Sequence, residues 1–254
     1  MNGMLRSLLA VILIGSISAC GGSSGGGTTK PRLYGTTHGN GTLGNSQFVE
    51  LDPDTGAVLD VINADTGYYI NSLAWYGGKF YATTGYYDPV ARFELLSINP
   101  STGAVTDIGP AGIWVQNLAI DSHGNAFCWD EDSDDPCTID LATGAGTLLG
   151  EAGIGTATHA LFFDETDTLY FANYNGALYT IDLATGLATD TGLNFGSYMH
   201  HGKLKPGTDE LWGLNDTWDT NQVDNTINVG NITTGTIDNT VPTIQGLFTL
   251  AWRK

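Results

Sequence analysis

The feature that most constrains this chain is a phrase it repeats five times. "FVELDPDTG" ends at Gly56, "LLSINPSTG" at Gly103, "CTIDLATG" at Gly144, "LYTIDLATG" at Gly186 and "INVGNITTG" at Gly235. The Thr-Gly pairs begin at Thr55, Thr102, Thr143, Thr185 and Thr234, so the intervals are 47, 41, 42 and 49 residues. A period of about 40–50 residues built from short strands marks propeller blades. Turn chemistry accounts for the phrase itself. Glycine accepts positive φ, and the Asp or Asn three residues before Thr favours a turn. The phrase is therefore a strand with its hairpin corner and carries no catalytic meaning.

Each interval divides in the same way. A short strand ("AVTDIG", "LATDTG") follows the Thr-Gly turn, and a variable loop leads to an apolar strand ("NSLAW", "QNLAI", "HALFF"). A Gly- or Asp-rich turn then precedes an aromatic strand ("KFYATTG", "NAFCWDE", "LYFANY", "LWGLN"), and a second loop returns to the phrase. Alternating polar and apolar residues and the lack of a helical period make every element a strand. The mature chain opens on an orphan aromatic strand, "LYGTT" at Leu33–Thr37, and ends on an orphan apolar strand, "IQGLFTLAWRK". Joining them completes a fifth blade and removes sheet edges that would otherwise lie open. The expected fold is all-β: a five-bladed β-propeller of four-stranded blades over residues 32–254, closed by pairing of the N- and C-terminal strands. A four-blade-plus-remnant or six-blade count is the alternative.

Residues 1–20 have the form of a lipoprotein signal. Arg6 precedes an apolar run, Leu8–Ile14, too short to span a bilayer, and "ISAC" resembles a bacterial lipobox with Cys20 as the lipidated residue. Ordinary cleavage near Ala19 is the alternative. Residues 21–31 form a Gly/Ser tether. Gly21, rather than Asp, after the cysteine points to the outer membrane, with the domain periplasmic or surface-exposed. Once Arg6 is lost, 8 Lys or Arg face 27 Asp or Glu, a net charge near −19. That repels nucleic acid and anionic head groups, so neither is an expected partner and membrane attachment is expected through the lipid alone. The domain is expected as a monomer.

With Cys20 assigned, Cys128 and Cys137 remain as a pair flanking "WDEDSDDP" on two neighbouring strands, which suits a disulfide in an oxidising compartment. A thiol metal site is the alternative. In "DEDSDD" (Asp130–Asp135), Asp130, Asp132 and Asp134 alternate as in some calcium loops, yet no Gly marks the turn and no Glu follows at EF-hand spacing. A solvated hairpin tip is expected; calcium is the alternative, and no other cofactor is implied.

The repeats resemble those of secreted bacterial β-propellers with "LYxIDxxTG" phrases, as in quinoprotein-like families. The resemblance covers about Leu33 to the C-terminus and implies a fold, since that class hosts many activities. "IQGL" and "KFYATTGYYDPVARFELLSINPSTGAV" are also similar in outline to five-bladed glutaminyl cyclases, which carry "TQGL". Here "NSLAW" stands before the "TTGYY" strand instead, and the family's acidic "GEG" element is missing. Gln245 is the one position that carries over, as a substrate hydrogen-bonding group.

Aligning the starts of the five apolar strands ("INSL", "VQNL", "THAL", "HHGK", "IQGL") puts Asn71, Gln116, His159, His201 and Gln245 at one position. They are expected to form a polar ring at a channel mouth, either stabilising closure with trapped water or flooring a ligand pocket. Since His200 and His201 point to opposite faces of a strand, only one joins the ring. Tyr69, Trp114 and Tyr198, with Tyr68, precede the ring and complete the candidate ligand site. Outer loops at that end add Tyr86, Tyr87, Arg92, Trp129, Tyr174 and Trp218, whereas Tyr34, Tyr81, Tyr170 and Trp212 are expected in the core. Loop carboxylates Asp65, Asp88 and Asp219 lie at that end, but no hydrolase, metalloprotease or nucleotide motif occurs, and no residue is assigned a catalytic role. The expected function is a lipid-anchored envelope binding module for a protein partner or a glycan. The alternatives are an enzyme of lyase, hydrolase or cyclotransferase type with His159 and His201 at the mouth, and a scaffold subunit.

Overall fold

The computed structural model describes residues 30–37, 44–88, 91–155, 158–215 and 226–254, with the side chains of Thr158 and His159 outside that set. Cys20, the leader, most of the tether, Trp218 and Asp219 also lie outside the described residues.

Twenty strands and no helix make up the described chain. The first unit holds β1 (Arg32–Thr37), β2 (Gln47–Leu51) and β3 (Val58–Asn63). The second holds β4 (Ile70–Tyr76), β5 (Lys79–Thr84), β6 (Glu94–Ile98) and β7 (Val105–Pro110). Next come β8 (Val115–Ile120), β9 (Ala126–Asp130), β10 (Asp135–Ile139) and β11 (Gly146–Leu148). The fourth unit is β12 (Thr158–Phe163), β13 (Leu169–Asn173), β14 (Ala177–Ile181) and β15 (Ala188–Asn194). The chain finishes with β16 (His200–Leu204), β17 (Glu210–Leu214), β18 (Thr226–Asn231), β19 (Thr236–Pro242) and β20 (Leu247–Arg253). Within each unit the strands are antiparallel neighbours, and β20 completes the first unit in the order β20-β1-β2-β3.

That last pairing is the predicted clasp. Leu33 faces Trp252, Tyr34 faces Ala251 and Gly35 faces Leu250, and the Thr36 and Thr249 hydroxyls meet at 2.8 Å. The innermost strands β20, β4, β8, β12 and β16 adjoin one another in a closed ring, giving a five-unit β-propeller. One departure from separate blades occurs. A parallel pairing, Ala160 with Gly202, fuses the fourth and fifth units into an eight-stranded sheet. Small residues permit it, because a Cβ on Gly202 would stand 3.0 Å from the Ala160 Cβ.

The repeated phrase closes identically in all five units. Asp52 accepts the amides of Asp54 and Thr55 at 2.8 and 2.9 Å, and Asn99, Asp140, Asp182 and Asn231 hold their own Thr residues in the same way. Each turn glycine also touches the unit before it. Gly144, at φ 85°, would place a Cβ 2.2 Å from the Gly109 carbonyl oxygen. The phrase recurs because it is both a turn and an inter-blade contact.

Five apolar cores fill the gaps between adjacent units. Trp212 and Trp252, at 5.3 Å and edge-on, join the last unit to the first, and Trp129 stacks on Phe171 at 4.1 Å between the third and fourth. Tyr34, Tyr81 and Trp212 are buried, and half-buried Tyr170 stacks on Phe162. Trp129, placed by sequence among the mouth aromatics, belongs instead to this core with no exposure. The next residue on its strand, Asp130, is the one that faces the loop. Cys128 and Cys137 face each other across β9 and β10 with Cα atoms 4.8 Å apart and form the expected disulfide.

Candidate functional site

The inner strands run parallel round the channel, so their starts share one end, the upper mouth, and their ends share the other. Near its start each inner strand contains a β-bulge. In β4, Ile70 and Ser72 pair with consecutive residues of β5 and leave Asn71 over; in β8 the same happens to Gln116, and in β12 to His159. In β16 the irregularity spans His201 and Gly202, and His201 takes φ 48°. Bulges re-aim a side chain out of the ladder, here toward the neighbouring strand. Asn71 donates through Nδ2 to the Gln116 side-chain oxygen at 2.9 Å and to the Val115 carbonyl at 3.1 Å. Lower down, Ser72 Oγ accepts the Leu118 amide at 2.9 Å. Side chains of one unit thus satisfy the open inner edge of the next.

The fifth position differs from the sequence alignment. In β20 the extra residue is Phe248, between Leu247 and Thr249, whereas Gln245 stands exposed in the turn before the strand. Gly246, at φ 78°, makes that turn and delays the strand, so "IQGL" matches "INSL" in letters but not in register. Phe248 packs at 4.6 Å from the His201 ring and 5.4 Å from His200, and the two imidazoles lie 4.1 Å apart with their planes tilted at 54°. Both histidines are buried at the mouth rather than divided between two faces, because the bulge breaks the alternation. His159 occupies the bulge of β12, with its side chain outside the described set.

From Phe248 a continuous row of rings runs along the mouth. Tyr69 lies 6.0 Å from Phe248 and 6.0 Å from Tyr87; Tyr87 meets Tyr86 at 5.6 Å, and Tyr86 meets Trp114 at 5.5 Å. The Arg92 guanidinium caps Tyr86 at 4.7 Å. Tyr86 and Tyr87 are 48% and 42% exposed, so this wall presents its face to solvent. Tyr198, half-buried, lies on the far side, where its carbonyl accepts Asn228 Nδ2 at 3.0 Å. Tyr174 is exposed, and Tyr68 packs against the core between the first two units.

Two buried carboxylates hold the wall in place. Asp88 accepts the Tyr69 amide at 2.7 Å and the Ala91 amide at 2.7 Å, and Asp130 accepts the Trp114 amide at 2.9 Å. These acids are loop anchors rather than free reactants, and exposed Asp65 likewise accepts the Gly67 amide and Asn45. Because Asp130 is buried and Glu131 half-buried, the acidic run is only partly a solvated tip. Burial, then the charges of Asp134, Asp130 and Asp132, pushes the Glu131 carboxyl up to about 7. Among the described residues no three His, Cys, Asp or Glu side chains converge as metal donors.

The opposite end opens as a funnel of about 490 Å³, walled by Trp75, Phe162, Phe163 and Trp252 and rimmed by Asp121, Asp164 and Asp167. Lys203 lines it and lies across three inner strands. From β16 its Nζ donates to the Leu161 carbonyl at 2.9 Å and the Leu118 carbonyl at 2.6 Å. Burial pushes this lysine down to about 7.

No family model and no curated protein matches this chain. Solved structures do, at low identity. A chain of the nidogen/laminin complex superimposes with TM-score 0.59 at 12% identity, covering 87% of this chain and 98% of that one. A Bacteroides caccae protein of unknown function gives TM-score 0.55 at 12% identity, with 89% and 100% covered. The Myxococcus xanthus glutaminyl cyclase gives 0.50 at 12% identity, with 70% and 72% covered. At this identity the likeness is one of fold, and the fold is that of the β-propellers.

Proposed function

We propose that this protein is a cell-envelope binding module whose upper mouth receives a protein partner along its aromatic wall. The carrying observation is the ring row of exposed Tyr87 and Tyr86 and half-buried Trp114, with Arg92, held from behind by Asp88 and Asp130. Tyr, Trp and Arg on a rigid base are the side chains that concentrate binding energy at protein interfaces. The likeness to a chain crystallised in a protein–protein complex supports this reading, and a glycan stacking on the same rings is the competing ligand.

Attachment through a lipid on Cys20 accompanies the proposal, with the domain monomeric at the outer membrane. The described chain begins at Lys30, and Arg32 pairs with Arg253 at the funnel end. A short tether from Cys20 would then hold the funnel toward the membrane and turn the aromatic mouth away from it. The test is photo-crosslinking from position 87 in intact cells beside a glycan array probed with purified protein. Partner adducts lost in Tyr86→Ala/Trp114→Ala support a protein ligand. Array binding lost in the same variant supports a glycan, and the absence of both results refutes the mouth as a site. The second reading, an enzyme at this mouth, rests on the adjacent, tilted pair His200–His201 against Phe248 and requires turnover that His201→Ala abolishes without unfolding.

A further inference from the structure

The lower funnel and its lysine take no part in the reading above. Of the five lysines in the chain, Lys203 is the buried one, 8% exposed. Its nitrogen has two acceptors, the Leu118 and Leu161 carbonyls, and no carboxylate within ion-pair distance among the described residues. An ammonium group carries three N–H donors and a charge that needs compensation. A neutral amine carries two N–H donors, the number of carbonyls present, and keeps one lone pair. The site therefore suits the amine, and a desolvated lysine amine is a nucleophile toward carbonyl carbon.

We propose that Lys203 forms an imine with a small aldehyde or ketone bound in the lower funnel. The ligand's class follows from the surroundings. Trp75, Phe162 and Trp252 offer an apolar, aromatic wall, while the acidic rim of Asp121, Asp164 and Asp167 repels anions. An uncharged or cationic carbonyl compound with an apolar body fits both. The lysine lone pair forms the N–C bond as the carbonyl π pair moves to oxygen, and one N–H proton passes to that oxygen. The second N–H proton then joins the hydroxyl, the C–O bond breaks, and water leaves a C=N double bond. Burial that lowers the amine's proton affinity supports the same assignment. A lysine in water at pH 7 is neutral in well under about one molecule in a thousand.

The test is reductive alkylation of the purified full chain with benzaldehyde and cyanoborohydride at about pH 7, read by peptide mass spectrometry. The hydride reduces the imine carbon and fixes the adduct. Lys203 is expected to react at least about tenfold faster than exposed Lys79. Ser122→Trp, at the exposed funnel lip, should slow Lys203 at least about fivefold and leave Lys79 unchanged. Lys203→Arg should lose the adduct; should that variant fail to fold, Ser122→Trp still decides. Reaction at Lys79 with Lys203 untouched overturns the proposal, as does a Lys203 rate that Ser122→Trp does not change.

Discussion

Replacing Lys203 by methionine tests the electrostatics of the channel most directly. In the folded protein burial holds this lysine near pKa 7, whereas in the unfolded chain it returns to about 10.4. Between those values the unfolded state binds more protons, so stability rises with pH across the window from about 7 to 10.4. Below about pH 7 both states are protonated and the full cost of the buried charge is present. From about pH 7.5 to about 9.5 the single-site linkage relation gives a rise of about 2.5 kcal/mol, a Tm change of about 5–10 °C in a chain of this size. Lys203→Met removes that contribution while every other titrating group stays. The difference between variant and parent should therefore shift by about 2.5 kcal/mol toward the parent as pH rises. Denaturant unfolding followed by tryptophan fluorescence at several pH values measures it. Parallel curves, within about 0.5 kcal/mol, would mean that two carbonyls keep the ammonium charged throughout and would refute the neutral-amine argument.

Further outcomes follow from named contacts. Gly144→Ala should lose more than about 2 kcal/mol in urea titration, because its φ is 85° and a Cβ would meet the Gly109 carbonyl at 2.2 Å. Glu131→Gln should stabilise by about 1 kcal/mol above pH 7, after discounting for solvent, and by almost nothing near pH 4.5. A carboxyl raised in the folded state opposes folding as pH climbs from about 4.5 to 7, and calorimetry at two pH values reads the effect. Removing the Cys128–Cys137 bridge by a double alanine change frees a short hairpin and should cost about 2–3 kcal/mol. Equal melting of oxidised and reduced protein would contradict that figure.

The legible parts of this protein were those whose chemistry is local. An Asx side chain reaching the amide three residues on, then a glycine at positive φ, repeats wherever the sequence repeats it, so units, turns and clasp could be read from letters alone. The cystine was readable for the same reason, being set by register within one hairpin. Mouth aromatics were partly readable: Tyr69, Tyr86, Tyr87 and Trp114 lie where loop position put them, but Trp129 turned into the core. Phe248 escaped notice because a glycine turn and a bulge displaced the last strand by three residues from its apparent alignment. Asp88 and Asp130 looked like surface acids, and only their burial against loop amides shows what they hold.

Composition and period thus determined an acidic, all-β, five-unit ring. What occupies its axis was decided by closure. Lys203 meets the Leu118 carbonyl across 85 residues of chain and the Leu161 carbonyl across 42. In the sequence it is a cation at a position where the other units carry leucine. A side chain's acceptors, its loss of water and hence its charge depend on which strands the ring brings beside it, and no local pattern encodes that.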